Sequence, residues 1–212
     1  IYALKNGLDF KEILSSLNGI FSIAFWDSHN KKLLLVRDAL GVKPLYYSNL
    51  NGAIAFASEV KAILPLIKYS ENYNALKGSK SLNAEEINRY LTFLWTPGEG
   101  TPSKLFKKLP PGEYLLIKNG IIEKRKKWYS LPSFNINVSK LSKKDSIHGT
   151  YYHLKKAVHR QLISDVPLGA FLSGGLDSSS IVALASQKLE KINCFSIKIN
   201  SAFEDGFNDD LP

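Results

Sequence analysis

The sequence predicts two fold classes in succession, an α+β part over residues 1–130 and an α/β part over residues 144–212. Three observations indicate this. Strand signals in the first part are joined by turn residues, the second part runs strand–loop–helix–strand, and the composition shifts to Ser, Asn and Lys between them. Because parallel strands need a long crossover while antiparallel strands do not, we expect two domains joined by a linker at residues 131–143.

The strands of the first part follow from β-branched and aromatic runs bounded by turn residues. Turn chemistry at residues 27–30 predicts a hairpin over residues 20–37. Asn119 and Gly120 form the strongest short hairpin signal in the chain. The predicted strands are residues 21–26, 33–36, 42–47, 53–57, 113–118 and 121–128. They predict mostly antiparallel sheets.

Two helices are predicted within the same part. Ser58 stands where a helix N-cap belongs, Glu59 follows it in the first turn, and Pro65 is expected to end that helix. A second helix is predicted over residues 83–95, because apolar residues recur there at helical spacing. Those residues are Ile87, Tyr90, Leu91 and Leu94. The polar residues 68–82 between the two helices predict a loop.

The second part predicts one βαβ unit. An amphipathic helix over residues 144–163 precedes a buried strand at 166–172, a helix at 176–189 and a second buried strand at 192–199. The apolar face of the first helix is formed by Ile147, Tyr151, Leu154, Val158 and Leu162. A strand–helix–strand unit implies parallel pairing with a right-handed crossover.

The stretch FLSGGLDSSS, residues 171–180, lies at the end of the first of these strands. A helix N-terminus after Gly174 and Gly175 would offer backbone N–H groups to an anion, and Asp177 fits such a site if Mg²⁺ lies between the carboxylate and phosphates. The loop is neither a Walker loop nor a dinucleotide fingerprint. Local chemistry alone also allows an ordinary β–α turn with a capped helix, so both interpretations stay open.

Composition and charge limit the function classes. The hydrophobic share of 44% and charged share of 22% are typical of a soluble globular protein. No apolar run approaches the ~18 residues of a membrane span, and no signal peptide is visible. The one cysteine, Cys194, can form no disulfide within the chain and is predicted to be a buried core thiol. The chain begins at Ile1 without any Met, so we expect a fragment of a cytoplasmic protein.

Other residues are interpreted as structural. Arg37 and Asp38 are expected to form a local ion pair or turn cap rather than a catalytic pair. The spacing of the histidines argues against a metal site; they are His29, His148, His153 and His159. The net charge of +9 and the basic residues 123–127 raise the alternative of a nucleic-acid binder, but a solvated edge strand explains those residues better.

Several motifs together resemble the glutamine-dependent asparagine synthetases. The Ser-Gly-Gly loop reads DVPLGAFL followed by SGGLDSS, residues 165–179. The first part carries NGIFSIAFWD, RDALGVKPLYY and ASEVKAI, which begin at residues 18, 37 and 57. FLWTPG and KLPPG, which begin at residues 93 and 108, continue in the same order. The chain is therefore identified as similar to that family over nearly its whole length.

The resemblance implies a fold and an activity. Residues 1–130 would be the C-terminal portion of an N-terminal-nucleophile glutaminase domain with antiparallel sheets. Residues 144–212 would begin a parallel-sheet, Rossmann-like ATP-pyrophosphatase domain, the synthetase. Aspartate, glutamine and ATP would give asparagine, glutamate, AMP and pyrophosphate through an aspartyl-adenylate. The resemblance implies no catalytic residue in this chain, because the family's nucleophilic Cys would precede Ile1.

The resemblance also implies site residues and partners. The residues that would bind ATP and pyrophosphate are Leu172, Ser173, Gly174, Gly175, Asp177, Ser178 and Ile197. Asp177 would hold Mg²⁺ through the pyrophosphate, Ile197 would pack near adenine, and Lys198 stands where the family has a small Gly. A homodimer without nucleic acid or membrane is expected. The alternatives are a relative that amidates another carboxylate, as in surface-polysaccharide biosynthesis, and a non-catalytic nucleotide-binding protein.

Overall fold

The computed structural model describes residues 9–49, 52–68, 78–133 and 141–197. The chain divides into two compact units, Ile1–Ser133 and Phe134–Pro212. Much of the predicted linker, residues 134–140, lies outside the described residues, so the linker stays a prediction.

In its described residues, the first unit combines three helices, a short 3₁₀ turn and two antiparallel sheets. Its helices are α1 (Phe10–Ser16), α2 (Val60–Ile67) and α3 (Ala84–Phe93), with the 3₁₀ turn at Gly78–Ser81. Its strands are β1 (Ser22–Asp27), β2 (Lys32–Arg37), β3 (Tyr46–Asn49), β4 (Ile54–Ala57), β5 (Lys107–Lys108), β6 (Glu113–Lys118) and β7 (Ile121–Lys127). One sheet has the order β1-β2-β6-β7 and the other β4-β3-β5. The predicted antiparallel pairing is confirmed.

Three apolar clusters arrange this unit in layers. Side chains of successive strand residues point to opposite faces, so β2 contributes to two clusters. Leu34 and Val36 pack with Leu14 of α1 on one face, and Leu35 packs with Tyr47 of β3 on the other. A third cluster joins α2 to the outer face of the smaller sheet through Ile63, Ile67, Ala55 and Phe106. The layer order is helix, sheet, sheet, helix.

The two predicted hairpins are present. β1 pairs with β2 from Ser22 opposite Arg37 to Asp27 opposite Lys32. Asn119 and Gly120 both adopt positive φ angles, of 51° and 71°, which is the turn that the Asn-Gly pair favours between two strands. These turns depend on local chemistry, which explains why the sequence could predict them.

Gly120 also lies very close to the backbone of Gly52, which precedes β4. A Cβ atom built at this position would lie 1.7 Å from the carbonyl oxygen of Gly52. Since backbone atoms cannot move aside cheaply, Gly120→Ala is expected to lower the free energy of unfolding by about 3 kcal/mol or more. Urea denaturation measures this. Gly19→Ala is the matched control, since nothing lies within 4 Å of its Cβ; equal losses in both variants would contradict the close approach.

The prediction for α2 is wrong at both ends. Glu59 rather than Ser58 is the N-cap, and Pro65 lies inside the helix instead of ending it. Proline in a helix interior removes one backbone hydrogen bond. Ile63 and Ile67, one helical turn apart on either side of Pro65, are both fully buried. Packing of these two residues outweighs the local preference.

Helix α3 forms where it was predicted, but its apolar residues do not form a core. Leu91 and Leu94 are largely exposed and Ile87 is half-buried, whereas Glu86 is buried. Leu94 ends the helix in the left-handed conformation, with a φ of 58°. Helix α1 was not predicted, although Asp9 and Glu12 form a capping box that the sequence displays. Residues 69–77 of the predicted loop lie outside the described residues.

The second unit contains one βαβ unit after a long helix. Its elements are α4 (Lys143–Gln161), β8 (Gly169–Phe171), α5 (Leu176–Ser186) and β9 (Asn193–Phe195). β8 and β9 pair in parallel, with Ala170 opposite Cys194, as predicted. Among residues 141–197 this sheet has two strands, so a Rossmann-like domain stays a proposal.

The prediction that these two strands are buried is wrong. Phe171 is 76% exposed, and every residue of β9 is exposed. Buried strands need a layer on both faces. In the described part of this unit, an apolar cluster joins α4 to α5 through Val158, Leu184 and Ala185, and no residue of β8 or β9 belongs to it. On α4, Ile147, Tyr151 and Leu154 are exposed, so only part of its predicted apolar face is covered.

Candidate functional site

The Ser-Gly-Gly loop connects the carboxyl end of β8 to the N-terminus of α5. Gly174 has a φ of 83°, a conformation that side-chain-bearing residues rarely adopt. Gly175 is the N-cap of α5, and it makes no side-chain cap hydrogen bond because it has no side chain. The loop thus turns sharply and leaves the helix N-terminus without a capping oxygen.

Two serine hydroxyl groups hold the loop together. The Ser173 N–H donates to Ser178 Oγ at 3.3 Å, and Ser178 Oγ donates to the Gly175 carbonyl at 3.2 Å. The two hydroxyl oxygens are 3.1 Å apart. Because the one hydroxyl hydrogen of Ser178 is used toward Gly175, Ser173 is the donor between them. The loop therefore closes on itself through Ser178.

The helix N-terminus is the polar feature that this loop presents. The first bond of α5 is Ser179 N–H to the Gly175 carbonyl at 3.1 Å. The N–H groups of the residues before Ser179 have no intrahelical acceptor and lie at the positive end of the helix dipole. Asp177 is exposed in the first turn. Backbone donors beside one free carboxylate suit a metal-bound phosphate better than a bare anion.

The end of β9 lies beside this loop. The Leu172 N–H donates to the Phe195 carbonyl at 2.9 Å, and Ser196 Oγ donates to the Leu172 carbonyl at 2.5 Å. Ile197 follows, with 78% of its surface exposed. The structure thus joins Ser173 to Ser178 and Leu172 to Phe195 and Ser196, and it places Ile197 two residues beyond the end of β9. Lys198 lies outside the described residues.

Two features of this region differ from the sequence analysis. Cys194 is exposed rather than a core thiol, because β9 has no covering layer among the described residues. Ser196 was not singled out. A hydroxyl residue directly after a strand is a visible signal, but its partner Leu172 is identified only by the register of the two strands.

Arg37 and Asp38 of the first unit organise a turn. The Asp38 carboxylate accepts hydrogen bonds from the N–H groups of Leu40, Val42 and Lys43 at 3.2, 3.0 and 2.9 Å. The Arg37 guanidinium donates to the carbonyls of Gly41, Lys43 and Leu109. Burial lowers the Arg37 pKa, and the nearby Asp38 charge opposes that shift. The interpretation as a turn cap is confirmed.

The remaining candidates have structural contacts. His159 Nε2 lies 3.0 Å from the Leu184 carbonyl, which links α4 to α5. Within the described ranges, no three His, Cys, Asp or Glu side chains group as metal ligands. Strand β7 is an edge strand, and its Arg125 pairs with Glu113 and Glu99. Of the helices in the described part of the chain, none combines the length and apolar character needed to cross a membrane.

Comparison with known families gives two matches in succession. Residues 4–129 match the family described as glutamine amidotransferase domain, and residues 150–212 match the family described as asparagine synthase. The second match includes the whole Ser-Gly-Gly loop.

Individual relatives carry related names. The chain is 35% identical over 187 residues to asparagine synthetase [glutamine-hydrolyzing] 3 of Bacillus subtilis, covering 85% of this chain and 28% of that protein. It is 31% identical to the second such enzyme of that bacterium, covering 94% and 26%. It is 31% identical to a putative asparagine synthetase of Methanocaldococcus jannaschii, covering 97% and 38%. The chain thus spans well under half the length of these relatives.

Proposed function

We propose that this protein is a glutamine-hydrolysing asparagine synthetase, because the chain belongs to the glutamine amidotransferase family and its residues 150–212 match the asparagine synthase family. Such a ligase converts aspartate, glutamine and ATP to asparagine, glutamate, AMP and pyrophosphate. The observation that carries the proposal is the loop at residues 173–178, which presents a helix N-terminus inside the asparagine synthase segment. A cytoplasmic location and a homodimer stay predictions.

The first unit supports the glutamine half of this proposal. Its two antiparallel sheets pack face to face between α1 and α2. Nearly all of this unit lies within residues 4–129, which match the amidotransferase family. In the proposed protein, this part would belong to the domain that hydrolyses glutamine and releases ammonia for the second reaction.

The second unit supplies the proposed ATP site. Gly174 and Gly175 keep side chains away from the helix N-terminus, so phosphate oxygens can approach the backbone N–H groups. Ser173 and Ser178 hold the loop in shape and place hydroxyl groups at its rim. The full proposed set is Leu172, Ser173, Gly174, Gly175, Asp177, Ser178 and Ile197. Ile197 would contact the adenine from the neighbouring strand.

Asp177 is the proposed contact to magnesium. Mg²⁺ is commonly held by one or two carboxylates together with substrate phosphates, and Asp177 is one exposed carboxylate at the anion-binding end of α5. The donor set therefore fits a Mg²⁺ ion that arrives with the nucleotide. When bound, the ion would neutralise charge on the departing pyrophosphate.

The chemistry follows from the weakness of a carboxylate as an electrophile. A carboxylate oxygen of aspartate attacks the α-phosphorus of ATP, the bond from that phosphorus to pyrophosphate breaks, and an acyl-adenylate forms. Ammonia then attacks the acyl carbon, the amide forms, and AMP leaves. The N–H groups before Ser179 would stabilise the negative charge that develops on pyrophosphate.

The first experiment measures pyrophosphate release by the full-length protein with ATP, Mg²⁺, ammonia and aspartate. Glutamate, which is one methylene longer, is the matched control acceptor. Release that depends on aspartate would support the proposal. Release with another carboxylate alone would identify a related amidotransferase instead. A folded protein that binds no ATP would show that the loop is an ordinary β–α turn.

A further inference from the structure

Ser196 ends the β8–β9 ladder in an unusual way. The two strands pair from Gly169 opposite Asn193 to Phe171 opposite Phe195. One further backbone bond runs from the Leu172 N–H to the Phe195 carbonyl. The carbonyl of Leu172 then accepts from the side chain of Ser196, at 2.5 Å, instead of from a backbone group.

The register shows which backbone group the hydroxyl replaces. In a parallel pair, a residue whose N–H donates to one residue of the neighbouring strand accepts, through its own carbonyl, from the N–H two residues further along that strand. Leu172 donates to Phe195, so its expected donor is the N–H of Ile197. Within residues 141–197, that N–H has no hydrogen-bond partner. The hydroxyl of Ser196 therefore occupies the place of the Ile197 N–H.

We propose that Ser196 is a positioning residue that keeps the Ile197 N–H free for the base of a bound nucleotide. The inference rests on the proposed nucleotide site for its ligand. A purine ring offers nitrogen acceptors in its plane, and a strand-end N–H is a suitable donor for one of them. Ile197 is exposed and follows β9 beside the proposed phosphate-binding loop, where a ligand could approach it.

Removal of the hydroxyl has a defined structural consequence. Without the hydroxyl, the Leu172 carbonyl has no donor. An unpaired carbonyl then accepts from a backbone N–H that the strand register places opposite it. The Ile197 N–H is that donor, so the ladder gains one bond and the N–H is withdrawn from the base. The loop itself keeps its own bonds, because Ser173, Ser178 and Gly175 pair with one another.

Hydrogen–deuterium exchange of the Ile197 amide tests this step without any nucleotide. In the full-length protein, Ser196→Ala is expected to slow that exchange about tenfold, the effect of one hydrogen bond. Ser196→Thr, which keeps a hydroxyl, should exchange like the natural protein. Ser186→Ala is the matched control, since Ser186 Oγ also donates to a backbone carbonyl but lies at the far end of α5. Unchanged exchange in Ser196→Ala would overturn the proposal whatever the protein binds.

Ligand affinities test the second step. Ser196→Ala is expected to weaken ATP binding about tenfold and to leave the affinity for inorganic pyrophosphate unchanged, with Ser196→Thr retaining ATP affinity. Equal weakening of both ligands would overturn the proposal, because it would mean that the whole loop was disturbed. If the natural protein binds no ATP, the proposed function fails, and the exchange measurement still decides whether Ser196 withholds the Ile197 N–H from the ladder.

Discussion

Replacement of Asp177 by asparagine in the full-length protein is expected to lower aspartate-dependent pyrophosphate release from ATP by about 10²- to 10³-fold. The asparagine side chain has nearly the same size as aspartate but no charge, so α5 would keep its N-terminal turn while the proposed magnesium ligand is lost. The variant should also need more Mg²⁺ for half-maximal activity. Steady-state kinetics at several magnesium concentrations measures both effects.

Glu190→Gln is the control for this experiment. It removes the same charge just beyond the other end of α5, where Glu190 is exposed. A carboxylate near a helix C-terminus is unfavourable, so its loss should leave activity unchanged and should not lower stability. If Asp177→Asn were fully active at low magnesium, Asp177 would not belong to the magnesium site. Its carboxylate would then only interact favourably with the positive end of the α5 dipole.

Replacement of Asp38 by alanine is expected to lower the free energy of unfolding by about 3–5 kcal/mol. The residue is only 2% exposed, and its carboxylate accepts from three backbone N–H groups of one turn. Alanine would leave those donors unpaired in a place that water reaches poorly. The same turn contacts the residue just before β6, because the Asp38 carbonyl accepts from the Gly112 N–H as well. Urea denaturation followed by fluorescence would measure the loss.

Asp27→Ala is the matched comparison. Asp27 also accepts from two backbone N–H groups of its own turn, those of His29 and Asn30, but this turn is exposed. Water can replace the lost carboxylate there, so a much smaller loss is expected. Similar losses in the two variants would mean that burial of the Asp38 carboxylate does not contribute to the effect.

The sequence predicted best the features that depend on a few neighbouring residues. The Asn119–Gly120 hairpin is present because the two residues tolerate the positive φ angles that the turn needs. Parallel pairing of β8 with β9 is also confirmed. Both follow from steric limits that act within a turn or a single crossover.

Predictions that depended on distant packing were less accurate. Pro65 remains inside a helix because Ile63 and Ile67 are buried against the preceding strand β4 and against Phe106, which is distant in the chain. An apolar run predicted that Cys194 is buried, but burial depends on layers that the run itself does not specify.

The candidate loop shows the same division. Gly174 and Gly175 could be identified from the motif, since glycine at a strand end before a helix has a local meaning. Ser196 could not, because the sequence does not show that its hydroxyl reaches Leu172 across the sheet.

The strand order of the larger sheet has a consequence for how the first unit folds. β2 pairs with β1, its neighbour in the chain, and with β6, which is synthesised much later. Until residues 113–118 leave the ribosome, Leu34 and Val36 have no β6 partner and the central ladder cannot close. Long-range closure of this kind slows folding and leaves an unpaired apolar edge during synthesis. The nascent chain is thus most prone to aggregate after the β1–β2 hairpin has been synthesised and before the β6–β7 hairpin follows it.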